Sequence, residues 1–288
     1  MKKISDKNQG RLLIIATALL WGLAGVCVKS IPWSPLSIMA SRSLISVVIL
    51  AVSRRSLKLS LNRRTLLGAV LESATGILYM SSIKLTTAAT AIVLQYIAPI
   101  LVFLFTVAVK KIKPKLSETL IVLAVFGGCA LSFADGIDPT RVAGNALGLM
   151  SGFTYAGQII AFSDKKADAS SGILLSNIIS FFVSLPFVFF DKNLSFSAKT
   201  VFWVLVLGIF QYGLANLCYS RGCQKISDLE TSLLLTIEPI FNPFPVLLVT
   251  GEKPGVLAIA GFVIVIAGVT AYGVLGAKTK ERSGKQNV

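Results

Sequence analysis

The sequence predicts an all-α membrane protein: ten transmembrane helices folded as two inverted five-helix repeats. Three observations carry this. First, the 288-residue chain is 54% hydrophobic and only 14% charged, with a mean hydropathy of +0.78. Soluble domains are about 25% charged, so this chain lacks the polar surface that a large soluble core needs. Second, its apolar residues fall into long continuous runs rather than the alternating pattern of a membrane β-barrel. Third, its positive charge alternates from loop to loop, and its two halves repeat one another.

A helix needs about 20 mainly apolar residues to cross the hydrocarbon. Runs of this kind cover 12–28, 35–53, 65–83, 88–109, 117–134, 144–163, 171–190, 200–220, 229–250 and 255–276. The first follows "MKKISDKNQGR", a basic start that imitates a signal peptide. Its apolar run is long for such a peptide and no A-x-A site follows, so it is read as a retained helix. The segments expected inside the cell are 1–11, 54–64, 110–116, 164–170, 221–228 and the C-terminal tail. They carry 21 of the 28 Lys and Arg residues. Those expected outside carry six, namely Lys29, Lys84, Arg141, Lys192, Lys199 and Lys253, and Arg42 alone lies within a span. By the positive-inside rule both termini are cytoplasmic and the helix number is even. The net charge of +15 thus reflects loops beside anionic headgroups. No basic patch is interleaved with aromatic residues, which argues against a nucleic-acid partner.

The repeat has a constant register. "TAIVLQYIAPILVFL" (90–104) aligns with "ETSLLLTIEPIFNPF" (230–244) at an offset of 140, which also pairs Gly68 with Gly208, Tyr79 with Tyr219, Pro114 with Pro254 and Gly128 with Gly268. The first span aligns with the sixth at an offset of 134, pairing Gly10 with Gly144 and Trp21 with Tyr155. The repeats are 1–140, holding spans 1–5, and 141–288, holding spans 6–10 and a short basic tail. Five helices per repeat is odd, so the second repeat enters the membrane from the opposite side. Inverted repeats can exchange conformations around one central site, which is alternating access. Pro99 and Pro239 occupy matched mid-span positions. A proline there removes a backbone hydrogen bond, and matched breaks point to a binding site, so both are candidate hinges.

Ten spans, two five-helix halves, the arginine of "MASRSLISV" in the second span, and "QYIAPILVFLF" echoed by "TIEPIFNPFPV" resemble the drug/metabolite transporter superfamily, and within it the EamA-type branch. The resemblance covers about residues 10–277. It implies a transporter whose solute is an amino acid, another metabolite or a drug. One departure is Ala98-Pro99 in the first half against Glu238-Pro239 in the second, so the halves are not chemically equivalent.

Ionisable groups inside a span are expensive and mark function. Glu72 lies mid-way along the third span, and Gly76 and Tyr79 follow it at i+4 and i+7 on one helix face. Their repeat partners are Tyr212, Asn216 and Tyr219. With Gln95 before Pro99, Glu238 before Pro239, and Trp21, Tyr155 and Gln158 in the first and sixth spans, these supply the candidate substrate-binding residues: Trp21, Glu72, Tyr79, Gln95, Tyr155, Gln158, Tyr212, Asn216 and Glu238. For each the structural alternative is packing or hydrogen bonding between helices. Glu238 has a further one, tying down backbone loosened by proline. Glu230 is either a gate or an interfacial residue, and Arg42 faces either a carboxylate or a vestibule. Gly127, Gly128 and Gly268 serve close packing within the monomer or a dimer seam.

The four cysteines form no C-x-x-C pair, and with no histidine in the chain neither a metal site nor a cofactor is expected. There is no P-loop to drive transport with ATP. The reading is a secondary-active or facilitative transporter in the cell membrane for a small metabolite (an amino acid, an amine or a related amphipathic solute), with or without protons, as a monomer or homodimer. The alternatives are a membrane sensor, for which no signalling domain is attached, and an intramembrane enzyme, for which neither intramembrane aspartates nor a G-x-S-x-G elbow is present.

Overall fold

A computed structural model describes residues 5–54, 59–86, 88–109, 111, 115–132 and 141–242, with interspersed positions from 244 to 271. Every regular element among them is helical. The order is α1 (Asp6–Trp21), α2 (Ala24–Ser30), α3 (Pro35–Arg54), α4 (Arg63–Leu85), α5 (Ala88–Gln95), α6 (Ala98–Ala108), α7 (Leu116–Ser132), α8 (Val142–Ser163), α9 (Ala169–Val188), α10 (Ala198–Val206), a π-helical stretch (Leu207–Leu214), α11 (Ala215–Gly222), α12 (Asp228–Leu235) and α13 (Ile237–Phe241). The described residues from 256 to 271, within the tenth expected span, are helical as well. Lys253 and Pro243, like the basic residues of 55–58, 112–114 and the tail, lie outside the described residues.

Five helical segments are long and apolar enough to cross a membrane: Asp6–Ser30, Pro35–Arg54, Arg63–Leu85, Ala169–Val188 and Ala198–Gly222. The helix α8 is also long, at 22 residues, but it carries Asn145, Gln158 and four glycines. The reason is packing. Its glycine face, Gly144, Gly148 and Gly152, is buried against α4 and α5, where a Cβ would meet atoms of Leu85, Thr86, Ser82, Leu94 and Ile97. Small residues let backbones approach where lipid offers no hydrophobic drive between helices. The start of α4 is capped by Asn62, which accepts hydrogen bonds from the N–H groups of Arg64 and Thr65. The caps Asp168, Ser197 and Ser227 do the same for α9, α10 and α12.

Four expected spans are not regular helices. The first breaks at Gly22-Leu23. The one expected at 88–109 breaks at Tyr96-Ile97, so that Pro99 falls in the first turn of α6, where its missing N–H has no intrahelical role. The one expected at 229–250 breaks at Thr236, two residues before Glu238 and three before Pro239. The one expected at 200–220 widens into the π-helical stretch. There Gly208 and Gly213 lie directly against Ile45 and Ile49 of α3, and their spacing of five matches the π-helical i→i+5 pattern.

The helix α4 is the central strut, packed on α8, α9, α5 and α3, while α1 lies against α11, α12 and α13. Polar ties run between helices: Ser180 Oγ donates to Ser73 Oγ (2.9 Å), Thr75 Oγ1 to Thr154 Oγ1 (2.8 Å) and Ser82 Oγ to the Gly144 carbonyl (2.7 Å). Gly128 abuts the Gly261 carbonyl, and Gly268 abuts Val125 and Ile121. These two glycines therefore serve packing within the chain, whereas Gly127 has nothing near it.

Phe162 of α8 is a wedge. Its ring is fully buried and touches both Gly68 of α4 and Gly172 of α9, where any Cβ would collide with it. Overpacking a tight core costs about 1–3 kcal/mol. Gly68→Ala and Gly172→Ala should each lower the thermal midpoint of the purified protein, and Phe162→Leu in the same chain should restore part of it. Unchanged midpoints in both alanine variants would contradict the wedge.

Candidate functional site

The four irregular helices converge. Trp21 ends α1 at the first break, Gln95 ends α5 at the second, Gln211 and Tyr212 lie in the π-helical stretch, and Glu238 follows the break at Thr236. All five line one cavity, with Arg42 of α3, Glu72, Thr75, Gly76 and Tyr79 of α4, and Tyr155 and Gln158 of α8. It holds about 440 Å³ of atom-free space, part of it open to the outside. Irregular backbone at membrane depth is tolerated where it lines a cavity or is buried in protein, and here every break delivers a side chain to the same wall.

The wall has an aromatic side and a charged side. Trp21 meets Tyr155 edge-on, with ring centroids 6.1 Å apart, and Tyr219 at 5.3 Å. Tyr155 in turn meets Tyr96 edge-on at 6.2 Å. On the charged side the Arg42 guanidinium carbon lies 3.9 Å from the centroid of the Tyr212 ring, a cation–π contact. The Trp21 Nε1, both Glu72 carboxylate oxygens, the Tyr79 hydroxyl and Gln211 Oε1 are buried without a hydrogen-bond partner among the described residues. Ser176 neighbours Glu72 but gives its proton to the Ile173 carbonyl at 2.8 Å. Buried polar groups left unpaired by their own chain are costly, and these five atoms lie on residues of one wall.

The break at Thr236 has its own chemistry. Pro239 has no N–H, so the Leu235 carbonyl four residues before it loses its helical partner. The Tyr96 hydroxyl fills that place, donating to the Leu235 oxygen at 2.7 Å. The same hydroxyl lies 2.8 Å from Glu238 Oε2. One hydroxyl proton serves one acceptor fully at a time. Both contacts are full hydrogen bonds only when the Glu238 carboxyl itself holds a proton and donates it to the Tyr96 oxygen. At the break before Pro99 the freed carbonyl is that of Gln95, and Gly152 of α8 packs directly against it. The carbonyls facing the matched prolines thus have unlike surroundings, as the Ala98/Glu238 difference anticipates.

Of the expected binding residues, Trp21, Glu72, Tyr79, Gln95, Tyr155, Gln158, Tyr212 and Glu238 line the cavity and Asn216 does not. Asn216 is fully buried in α11, behind the wall. The α-helical spacing that grouped it with Tyr212 is interrupted by the π-helical stretch, whose wider turn presents Gln211 beside Tyr212 instead. Pro99 and Pro239 are buried but absent from the wall, which their neighbours Gln95 and Glu238 reach. Arg42, Thr75, Gly76 and Gln211 are wall residues outside the expected set. Glu230 is away from the cavity. Ser227 caps its helix, and its carboxylate takes Lys7 (2.9 Å) and Arg11 of α1 as ion-pair partners. With a side chain only 6% exposed, it ties α1 to α12.

The model of the EamA-like transporter family matches the chain twice, over residues 8–134 and 142–273. The chain belongs to this family. This EamA-like protein is accordingly a multi-pass membrane protein and a membrane transporter of the drug/metabolite type. Among solved structures 29 chains match it. One, titled "Crystal structure of protein", is 17% identical in sequence, superposes with a TM-score of 0.77, and covers 93% of this chain and 98% of its own. That likeness shows the shared fold. No curated protein matches.

Tyr96 should therefore be a structural keystone. Tyr96→Phe leaves the Leu235 carbonyl buried and unpaired, which costs about 1–3 kcal/mol. The variant should show a lowered thermal midpoint. Glu238→Gln, whose amide can still donate, should stay close to the parent. A Tyr96→Phe protein as stable as the parent would contradict the capping role.

Proposed function

We propose that this EamA-like protein carries a small polar metabolite (an amino acid, an amine or a related amphipathic solute) across the cell membrane by alternating access. The observation that carries the reading is the cavity: unpaired buried polar groups and three ionisable side chains, Arg42, Glu72 and Glu238, on a wall built from four interrupted helices. In the proposed topology ten spans form two inverted repeats, residues 1–140 and 141–288, with both termini cytoplasmic. The two repeats contribute to the wall together, Trp21 to Gln95 from the first and Tyr155 to Glu238 from the second, so a rearrangement of one against the other would open it to either side.

Two contacts fit such a cycle. The clamp of Lys7 and Arg11 on Glu230 joins the start of α1 to α12, on the side that this reading takes as cytoplasmic from the positive-inside rule, and its release would open that side. The Glu238–Tyr96–Leu235 chain joins proton binding to the backbone break at Pro239. A proton leaving Glu238 would draw the Tyr96 hydroxyl toward the carboxylate and away from the Leu235 carbonyl, which supports coupling to protons at this residue. Glu72 is the proposed solute contact.

The test is solute flux in proteoliposomes across a pH series, at matched levels of folded protein, with Glu72→Gln and Glu238→Gln beside the parent. Both substitutions keep size and lose charge. Glu72→Gln is expected to lose flux at every pH, and Glu238→Gln to lose the pH dependence. Parent-like transport by both variants across the series would remove both carboxylates from the mechanism. A protein that moves no solute would favour a sensor or an enzyme.

A further inference from the structure

Two buried polar residues lie behind the cavity rather than on it. Asn216 and Tyr219 are three residues apart on α11 and share one helix face. Both are fully buried, and neither the Asn216 amide nor the Tyr219 hydroxyl has a hydrogen-bond partner among the described residues. Each stands behind a residue of the wall. Asn216 neighbours Tyr212, and Tyr219 neighbours Gln158. No hydrogen bond closes in either pair, although all four side chains carry groups able to make one. Polar groups thus continue from the wall into the bundle, one step behind each of these two wall residues.

The chain sets the direction of this continuation. From Tyr212 on the wall, α11 runs through Asn216 and Tyr219 to Gly222, where a Cβ would meet Leu13 and Ile14 of α1. Gly10, one turn before Ile14, lies against Lys225 and Ile226, and Lys7 and Arg11 on the same turns of α1 hold Glu230. Asn216 and Tyr219 therefore stand between the cavity and the clamp. Beyond them the filling is apolar. Ile14, Phe162, Cys223 and Ile226 pack with Tyr219 in one buried cluster, and the Phe162 ring meets the Tyr219 ring edge-on at 6.4 Å. An apolar side chain in either place would fill the same space without the cost of an unpaired buried amide or hydroxyl. That cost is offset if another arrangement of the helices, with the clamp open, brings water or a solute to these groups.

We propose that Gln158, Asn216 and Tyr219 line an inner passage, closed in this structure, that leads from the cavity toward the clamp between α1, α8 and α11 and takes the uncharged polar groups of a solute and its water. This rests on the transport reading and adds to it the route on the clamp side. Amide and phenol groups both donate and accept. Hydrogen bonds between neutral groups are weaker than charge-assisted ones, which suits a place that a solute leaves. Opening requires the release of Lys7 and Arg11 from Glu230 and the withdrawal of the Phe162 edge from Tyr219.

The test uses the full-length chain with its four cysteines replaced and Asn216→Cys introduced, in right-side-out and inside-out vesicles, with a membrane-impermeant thiol reagent as the probe. Labelling is expected from the face that carries the clamp and not from the other. Adding Glu230→Gln, which removes the charge that Lys7 and Arg11 hold, should speed labelling from that face about tenfold, the factor for losing a charge-assisted hydrogen bond. Tyr219→Cys should behave in the same way, so the outcome does not rest on the folding of one variant. Thr75→Cys, on the wall, is the reference. Labelling of the wall cysteine but of neither inner one, with the clamp intact or broken, would overturn the passage and leave transport standing. Inner cysteines that label equally fast from both faces, or at a rate that Glu230→Gln does not change, would also overturn it. A wall cysteine that labels from neither face would overturn the transport reading and the passage with it.

Discussion

Hydrocarbon offers a polar group no partner, so every polar atom that this chain carries into the membrane must be satisfied by the protein itself or by something the protein binds. The structure follows from that constraint. The hydroxyls of Ser73, Thr75, Ser82 and Ser180 are spent on ties between helices. The carbonyl released by Pro239 is met by Tyr96. Trp21, Glu72, Tyr79 and Gln211 keep unpaired polar atoms on a single wall, and the proposed transport reading rests on that polarity.

Broken helices are the means. A regular helix satisfies its own backbone and presents side chains on fixed faces. A break or a wide turn costs backbone hydrogen bonds and in return lets a side chain leave the face that spacing assigns it. In this protein Trp21, Gln95, Glu238 and the Gln211-Tyr212 pair reach the wall at such points. The two proline breaks sit at matched positions, but one freed carbonyl meets glycine backbone and the other a tyrosine hydroxyl shared with a carboxyl group. The two breaks are thus alike in position along the repeat and unlike in chemistry.

Much of this was legible in the sequence where a single physical rule applied. Glu72, Gly76 and Tyr79 share a face by α-helical spacing, and all three line the cavity. The offset that pairs Trp21 with Tyr155 led to two rings in edge contact. The prolines marked two of the four broken helices. Where the rule failed, the cause is local geometry. Asn216 was grouped with Tyr212 on the assumption of a regular helix, and the π-helical stretch moved Gln211 onto the wall in its place. The sign of that stretch was present in the five-residue spacing of Gly208 and Gly213, but it has meaning only once Ile45 and Ile49 of α3 are known to press on them. Arg42 was visible as the one basic residue within a span, but its direction was not, because a long side chain in the second span can reach a cavity or snorkel to an interface. Packing against Tyr212 and Gly76 decides it.

The central claim is that this one wall faces the two sides of the membrane in turn. Thr75 offers the most direct test, since it lines the cavity, is a small side chain and has no proposed part in binding. A chain lacking its four native cysteines and carrying Thr75→Cys would be placed in right-side-out and inside-out vesicles and treated with a membrane-impermeant thiol reagent. The account predicts labelling from each side, slowed from both by a solute that the protein transports. Labelling from one side alone, or from neither, would contradict it.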